Sequence, residues 1–257
     1  MKIYELTEKL DSLFPTSFME EWDNDGDMLV LDKDREITGV VTALDVTDEA
    51  IDKAIGVGAN VILSHHPFIF KPLKSLNSSP LSKRIEKLIK ADISVISYHT
   101  RFDSAKGGMN DRLAKVLCLE NPIPFGLKGG IAMGRIGEIE ECSAEEFAQK
   151  VSKVLSTDVI LYKGKERIRK VAVLGGGGKD FIHTAFTLGA DAMVTGDISY
   201  SVMNEEIDYN ITMIDAGHYG TEVIAVEIFA EILEEMKSFS VTRFYGRDRG
   251  EFIKKEI

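Results

Sequence analysis

GVVTALDVTDEAIDKAIGVGANVILSHHP, residues 39–67, is the stretch that decides the fold. Residues 40–44 read as a short buried strand, 47–55 as a helix and 60–63 as the next strand. The apolar run then breaks at Ser64-His65-His66-Pro67, so a polar, chemically capable turn follows directly on a strand end. Working outward, residues 3–13 carry helical spacing (Ile3, Leu6, Leu10, Leu13) that Pro15 ends. Residues 82–90 read as a helix, 93–97 as a strand and 110–117 as a helix. Residues 129–139 are Gly-rich and strand-like, and Ser143 with Glu146 predicts a capping box for a helix running to residue 155. A second alternating block follows: strand 171–174, helix 179–188, strands 192–195 and 211–214, and helix 221–236. This order predicts an α/β protein with parallel-rich mixed sheets and helices packed on them.

The two blocks read as one repeated unit. Placing Gly58-Ala59-Asn60 on Gly189-Ala190-Asp191 also aligns Val40 with Val171, Ala54 with Ala185 and Val61 with Ala192. The identities are few, and unrelated βαβ units share some by chance, so both readings stand. Under duplication, His65 and His66 correspond to Gly196 and Asp197, and the chemistry of the halves is asymmetric. The expected organisation is a first α/β half over 1–125 and a second over 126–257, each a three-layer unit, with a dinuclear metal site between them.

Four of the five histidines fall in three segments where a predicted strand gives way to a loop: 64–67, 99–103 and 215–222. In α/β sheets, ligands bind beyond the carboxyl ends of strands. Imidazoles and carboxylates gathered there are transition-metal ligands. Adjacent side chains on a regular strand point to opposite faces, but at a strand end that Pro67 holds extended, His65 and His66 can each reach a different ion. Asp103 supplies a carboxylate four residues beyond His99. Glu222, in the predicted first turn of a helix, has two oxygens with which to bridge two ions, and His218 lies one loop earlier. A lone histidine after a strand is more often a hydrogen-bonded structural residue; it is the threefold recurrence that favours a metal site. His99 reads as orienting a ligand or water rather than as a ligand, and His183 as a structural residue within a helix.

Composition narrows the function classes. The chain has 257 residues, which suggests two domains, and 31 basic against 42 acidic residues give a net charge of −11. A chain this acidic lacks the footprint of a nucleic-acid binder, although a local basic pocket for an anionic small molecule remains open. Cys118 and Cys142 stand in no metal-ligand spacing and read as packed thiols of a reducing, cytoplasmic setting. The N-terminus lacks a signal-peptide core and no apolar run is long enough to span a membrane.

The stretches Trp22-Asp23-Asn24, Ala43-Leu44-Asp45-Val46-Thr47, Ser64-His65-His66-Pro67, His99-Thr100 with Asp103, Gly107-Gly108-Met109-Asn110-Asp111, Gly134-Arg135-Ile136-Gly137, Thr195-Gly196-Asp197 and Asp215-Ala216-Gly217-His218 with Glu222 resemble the NGG-interacting-factor-three-like proteins. Many bacterial members of that family are labelled GTP cyclohydrolase 1 type 2 homologues. The match runs in order over nearly the whole chain. The resemblance implies a duplicated α/β fold, two divalent ions held by His65, His66, Asp103, His218 and Glu222, and a homohexameric ring built as a trimer of dimers. It also implies the short form, with no inserted middle domain. Two positions depart from the family's usual pattern: Arg101 stands where Asn is usual, and Asp25-Gly26-Asp27 follows Trp22-Asp23-Asn24 where a small residue, Gly and Leu are usual. Neither removes a ligand; both bear on the pocket wall.

Weaker signals stand beside plainer readings. Gly175-Gly176-Gly177-Gly178, between a strand and a helix, could cradle a phosphate, but a permissive turn is the simpler account, and Lys179-Asp180 rules out a Walker A loop. Glu21, Asp23, Asp25, Gly26 and Asp32 faintly resemble a calcium loop without its spacing. Arg243, Arg247 and Arg249 read as a solvated tail or subunit contact.

The leading functional expectation is a dinuclear metal-dependent hydrolase acting on a small, nucleotide-like substrate, with zinc, iron or manganese lowering the pKa of a water. Purine ring opening of the GTP cyclohydrolase type is what the resemblance implies. Asp45, Asp197 and His99 are the candidates for positioning or proton transfer. The alternative is a non-catalytic metal-binding or scaffold protein that works through its ring.

Overall fold

The computed structural model describes residues 1–128 and 131–248. The quoted stretch forms β2 (Gly39–Ala43), α2 (Asp48–Val57) and β3 (Val61–Ser64). Thr47 caps α2 by accepting from the Ala50 amide, and Gly58, at φ 69°, ends it in the left-handed conformation that costs glycine no strain. Two further parts of this half are α3 (Pro80–Ala91), entered through the Ser79 cap with proline in its first turn, and β4 (Ser94–Ser97). α1 (Ile3–Leu13) spans the expected residues. The 21–26 region, read as a loop, runs into a short strand, β1 (Gly26–Leu29). After β4 come α4 (Thr100–Ser104), α5 (Met109–Val116), and the long hairpin strands β5 (Glu120–Lys128) and β6 (Ile131–Ser143). The Ser143–Glu146 box opens α6 (Ala144–Leu155) with both reciprocal bonds formed.

The later elements are β7 (Ile160–Tyr162), β8 (Arg167–Val173), α7 (Ile182–Thr187), β9 (Ala192–Thr195), α8 (Tyr200–Glu206), β10 (Thr212–Asp215), α9 (His218–Glu222), α10 (Ala225–Glu235) and β11 (Ser240–Phe244). Two expected helices differ. The one over 179–188 begins as a 3-10 turn at Lys179–Phe181, and the one over 221–236 is split into α9 and α10.

Two sheets result. The first has the order β1-β4-β3-β2-β11 and the second β5-β6-β8-β9-β10-β7. In the first, β4, β3, β2 and β11 are parallel and β1 is an antiparallel edge. In the second, β8, β9 and β10 are parallel, with β7 an antiparallel edge and β6 antiparallel on the far side. Read inward from the antiparallel edge strand β1 or β7, each sheet begins with three parallel strands in reverse chain order, β4-β3-β2 in the first and β10-β9-β8 in the second; the first then adds parallel β11 and the second antiparallel β6 and β5.

Strand alternation distributes the core. Val40, Val61, Leu63 and Ile96 face α1 and α10, while Val41, Ala43, Ile62 and Val95 face α2 and α3. In the second sheet Val171, Val173 and Val194 face α5 and α6, and Ala172, Met193 and Met213 face α7. The expected boundary between 125 and 126 falls inside β5, and β11 lies in the first sheet. The connection from β10 through α9 and α10 therefore carries the chain back from the second sheet to the first. Ile228, Phe229 and Leu233 of α10 pack with Ile3, Leu6 and Leu10 of α1 in the first sheet's core. Each such side chain contributes on the order of 2 kcal/mol by leaving water.

Cys118 is exposed, against expectation, whereas Cys142 is half-buried and packs against the core beneath α6; both are free thiols. Among the described residues, no helix is long and apolar enough to cross a membrane.

Candidate metal centre

The three histidine segments meet. His65 and His66 follow β3, His99 follows β4, and His218 follows β10, so strand ends from both sheets face one another. Segment 99–103 coils into α4, which turns Asp103 inward, 6% exposed. Segment 218–222 forms α9, and its i,i+4 spacing places His218 and Glu222 on one face.

Each imidazole is held through Nδ1. That of His65 donates to the Tyr98 carbonyl at 2.9 Å. Those of His66, His99 and His218 donate to Asp45, Asp23 and Asp197, each at 2.8 Å. A ring fixed this way presents Nε2, the arrangement by which outer carboxylates orient metal-ligating histidines. The Nε2 atoms of His66 and His218 lie 2.8 and 2.9 Å from Glu222 Oε2, and that of His65 lies 3.8 Å from Glu222 Oε1 and 3.5 Å from Asp103 Oδ1. Glu222 thus stands between His65 on one side and His66 and His218 on the other. Two sets of ring nitrogens and carboxylate oxygens gather within 4.8 Å, one from His65, His66 and His99 and one from His66, His218 and Glu222. These groups could hold a metal ion.

The buried atoms supply a test of that fit. His65 is 0% exposed, and because its Nδ1–H serves a carbonyl, the neutral ring turns a lone pair on Nε2 toward Asp103. His65 Nε2 and Asp103 Oδ1 are both buried without a hydrogen-bond partner. Two acceptors facing each other at 3.5 Å in a buried place call for a proton or a metal ion between them, and the donor set suits a divalent transition metal. The electrostatics agree. Burial lowers the pKa of His65. Burial and the Glu222 charge hold the Asp103 carboxyl well above its ordinary range. Burial would also raise Glu222, but the imidazoles of His218, His65 and His66 outweigh it and hold that carboxyl well below. For His66, burial opposes protonation, yet Asp45 and Glu222 push the ring up to about 10. Glu222 pushes His218 up to about 9. Without a metal, protons on these two rings balance the carboxylates.

Asp45 and Asp197 act on the rings of His66 and His218 rather than on the central space. His183 lies elsewhere, half-exposed on α7 and 3.5 Å from Glu206. The glycine run is not a phosphate cradle: the amides of Gly175, Gly176 and Gly178 already donate to Asn110, Thr221 and Thr195. It is instead a wall that lets Glu222 in, since a Cβ on Gly176 would overlap Glu222 Oε1 and stand 3.2 Å from His218 Nε2. Nor is 21–32 a calcium loop, because Asp23 and Asp25 are bound to His99, Thr100 and Arg101. The two departures noted in the sequence pair with each other: the Arg101 guanidinium meets the Asp25 carboxylate at 2.9 Å.

A cavity of about 850 Å³ opens beside the centre, with His66 and His218 in its wall together with Phe68, Phe244, Tyr245 and Arg84. Arg247 also lines it, so this arginine of the expected solvated tail faces the cavity. Arg243 is paired with Glu227 and Glu234, and Arg249 lies outside the described residues. The sequence suggested Gly176 only as part of a phosphate cradle and Asp23 only within a faint calcium loop; their places beside Glu222 and His99 were not read, and the histidine Asp23 serves is 76 residues away. Asp215 was quoted in the third segment, and here it braces the centre by accepting from the Ile198 and Gly217 amides.

Comparison with known proteins identifies the family and the fold. The sequence profile described as Duf34/NIF3 (NGG1p interacting factor 3) matches residues 1–246. A Clostridium acetobutylicum protein named GTP cyclohydrolase 1 type 2 homolog is 34% identical over 242 residues, covering 91% of this chain and 90% of that one. A Methanocaldococcus jannaschii protein of the same name is 33% identical over 238 residues, covering 91% and 95%. Among solved structures, a Staphylococcus aureus hypothetical protein superposes with a TM-score of 0.91 at 29% identity, covering 98% of this chain and 99% of the other. Reduced HcgD from Methanocaldococcus jannaschii gives 0.84 at 31% identity, covering 95% and 97%. With a match running from its first residue to the end of its last strand, the chain belongs to the Duf34/NIF3 family.

Proposed function

We propose that this protein is a dinuclear metal-dependent hydrolase acting on a small, nucleotide-like substrate. One observation carries the reading: four imidazoles, each fixed through Nδ1, converge with Asp103 and Glu222 beside a cavity of about 850 Å³, ample for a small molecule. In this reading His65 and Asp103 would hold one ion and His66 and His218 the other, with Glu222 offering one oxygen toward each side. Zinc, iron or manganese suits the mixed nitrogen and oxygen donors. Such an ion pair, when bound, acidifies water and polarises the bond to be cleaved.

The chain's own residues supply the rest. Asp45 and Asp197 hold the rings of His66 and His218, and His99, fixed by Asp23, positions the substrate or relays a proton. The aromatic wall of Phe68, Phe244 and Tyr245 suits a planar ring, and Arg84 and Arg247 suit an anionic group. The names of the relatives support a purine as that ring and hydrolytic ring opening as the reaction. We also infer that the chain assembles as a homohexamer, a trimer of dimers. The matching strand order of the two sheets supports descent from one duplicated unit.

The test is elemental analysis of protein purified without chelators, followed by a screen of nucleoside triphosphates and phosphoesters. About two ions per chain and turnover that stops on chelation are expected. Two ions with no turnover of any of these compounds would overturn the hydrolase, and no more than trace metal after reconstitution would overturn the centre itself.

A further inference from the structure

One edge of the centre is held by a loop rather than by a sheet. Residues 20–25 lie across the N-terminus of α4, and two carboxylates fasten them there. Asp23, its side chain fully buried, accepts from His99 Nδ1 at 2.8 Å, from the Thr100 amide at 3.0 Å and from the Thr100 hydroxyl at 2.6 Å. Asp25, 1% exposed at its side chain, accepts from the His99 amide at 3.3 Å and from Arg101 Nε at 3.0 Å. The Glu20 amide donates to the Thr100 hydroxyl at 3.0 Å.

Arg101 is where these attachments are gathered. Its side chain is 3% exposed. Besides Asp25, it donates through Nη1 to Asp11 at 2.8 Å and to the Phe14 carbonyl at 3.1 Å, and its Cζ lies 4.2 Å from the Tyr98 ring centre. One guanidinium thus joins the end of α1, the 23–25 loop and the run 98–103. A planar fork can do this, whereas an ammonium on a flexible stem cannot serve all three directions at once. Removing it would leave the Asp25 carboxylate buried without a counter-charge, which favours release of the loop or protonation of Asp25, and either loosens its hold on α4.

We propose that Arg101 and Asp25 are positioning residues for His99. Their buried ion pair pins the 23–25 loop on α4, and through Asp23 it fixes which nitrogen of His99 faces His65 and His66. The proposal deepens the metal-centre reading by naming what orients its His99 edge. Its test uses the metal-free chain, so failure of the hydrolase reading and failure of the brace are separate results.

The experiment is two-bond proton–nitrogen NMR of the histidine side chains, with thermal melting alongside. The parent is expected to hold His99 as the Nδ1–H tautomer. Asp23→Asn marks the endpoint at which the carboxylate is lost. Arg101→Lys and Asp25→Asn are expected to shift His99 toward that endpoint, while His218, held by Asp197 from another loop, keeps its signals. Trp22 is the only tryptophan and its ring lies 6.0 Å from that of His99, so its emission should move to the red in both variants. A purely structural ion pair would lower the melting temperature and leave the His99 tautomer where it was, and that outcome overturns the proposal. If either single variant does not fold, the neutral pair Arg101→Met with Asp25→Asn removes both charges together. Retention of the parent tautomer in that double variant would overturn the proposal equally.

Discussion

Glu222 is the residue on which the centre turns, because its two oxygens address His65 on one side and His66 and His218 on the other. On the proposed two-ion reading, Glu222→Gln keeps the shape but removes the charge that would offset two closely held cations. It is expected to lose at least one of two ions per chain while melting within a few degrees of the parent. His183→Asn, remote from the centre, should keep both. Metal analysis and melting on the two variants decide this, and full occupancy in Glu222→Gln would show that the bridge lies elsewhere. Gly176 makes a sharper case, because nothing about a glycine advertises a site. It sits at φ +66° and its missing Cβ is the space Glu222 Oε1 occupies. Gly176→Ala is expected to cost about 1–2 kcal/mol for the backbone alone. It should lower metal occupancy as well, which a strained turn far from the centre would not do.

Elements deliver these side chains because their ends are tied down. At the start of β9, Asp191 accepts from Lys165 and from the Arg169 and Lys170 amides at 3.0 and 2.8 Å, joining the β7–β8 connection to the strand that leads to Asp197. Burial would raise this carboxyl, but Lys165 and the two amides outweigh it and hold it below its ordinary value. A carboxyl depressed in the folded state contributes stability that is present above its unfolded pKa and lost as pH falls through the folded one. Asp191→Ala is therefore expected to cost about 1–3 kcal/mol near neutrality. Its melting temperature should converge on the parent's as pH drops below the ordinary carboxyl range. A constant gap down to strongly acidic pH would show that the contact works through packing instead.

At the scale of the whole molecule, the return of the chain from the second sheet to the first makes the two halves interdependent. Phe229 is fully buried against Phe102, ring centres 4.3 Å apart, although the two belong to segments on opposite sides of the second sheet in sequence. Phe229→Ala is expected to cost about 3–5 kcal/mol. Residues 1–125 expressed alone, without α10 and β11, should show no cooperative thermal transition by circular dichroism. A sharp transition for that fragment would mean that the first sheet closes its core without the C-terminal segment.

How much of this was legible from sequence follows the range of the signal. Strands and helices of the βαβ kind announce themselves over a few residues, through apolar runs and caps such as Ser143 with Glu146, and the parallel-rich α/β class follows from their order. The three histidine segments were legible for the same reason, since each is a short local pattern at a strand end. β1, β7 and β11 were not, because an edge strand of three to five half-exposed residues has no periodicity long enough to read. β11 exists because β2 offers it an edge, and residue 240 pairs with residue 39 only once the chain has folded back. The sequence by itself determined that imidazoles and carboxylates, residue types able to hold a metal, stand together at three strand ends. Only the tertiary structure decided that Asp23 serves His99, that Asp25 answers Arg101 and that a glycine makes room for Glu222. Those are contacts between segments up to 76 residues apart, set by how the sheets and α4 pack, and no local pattern encodes them.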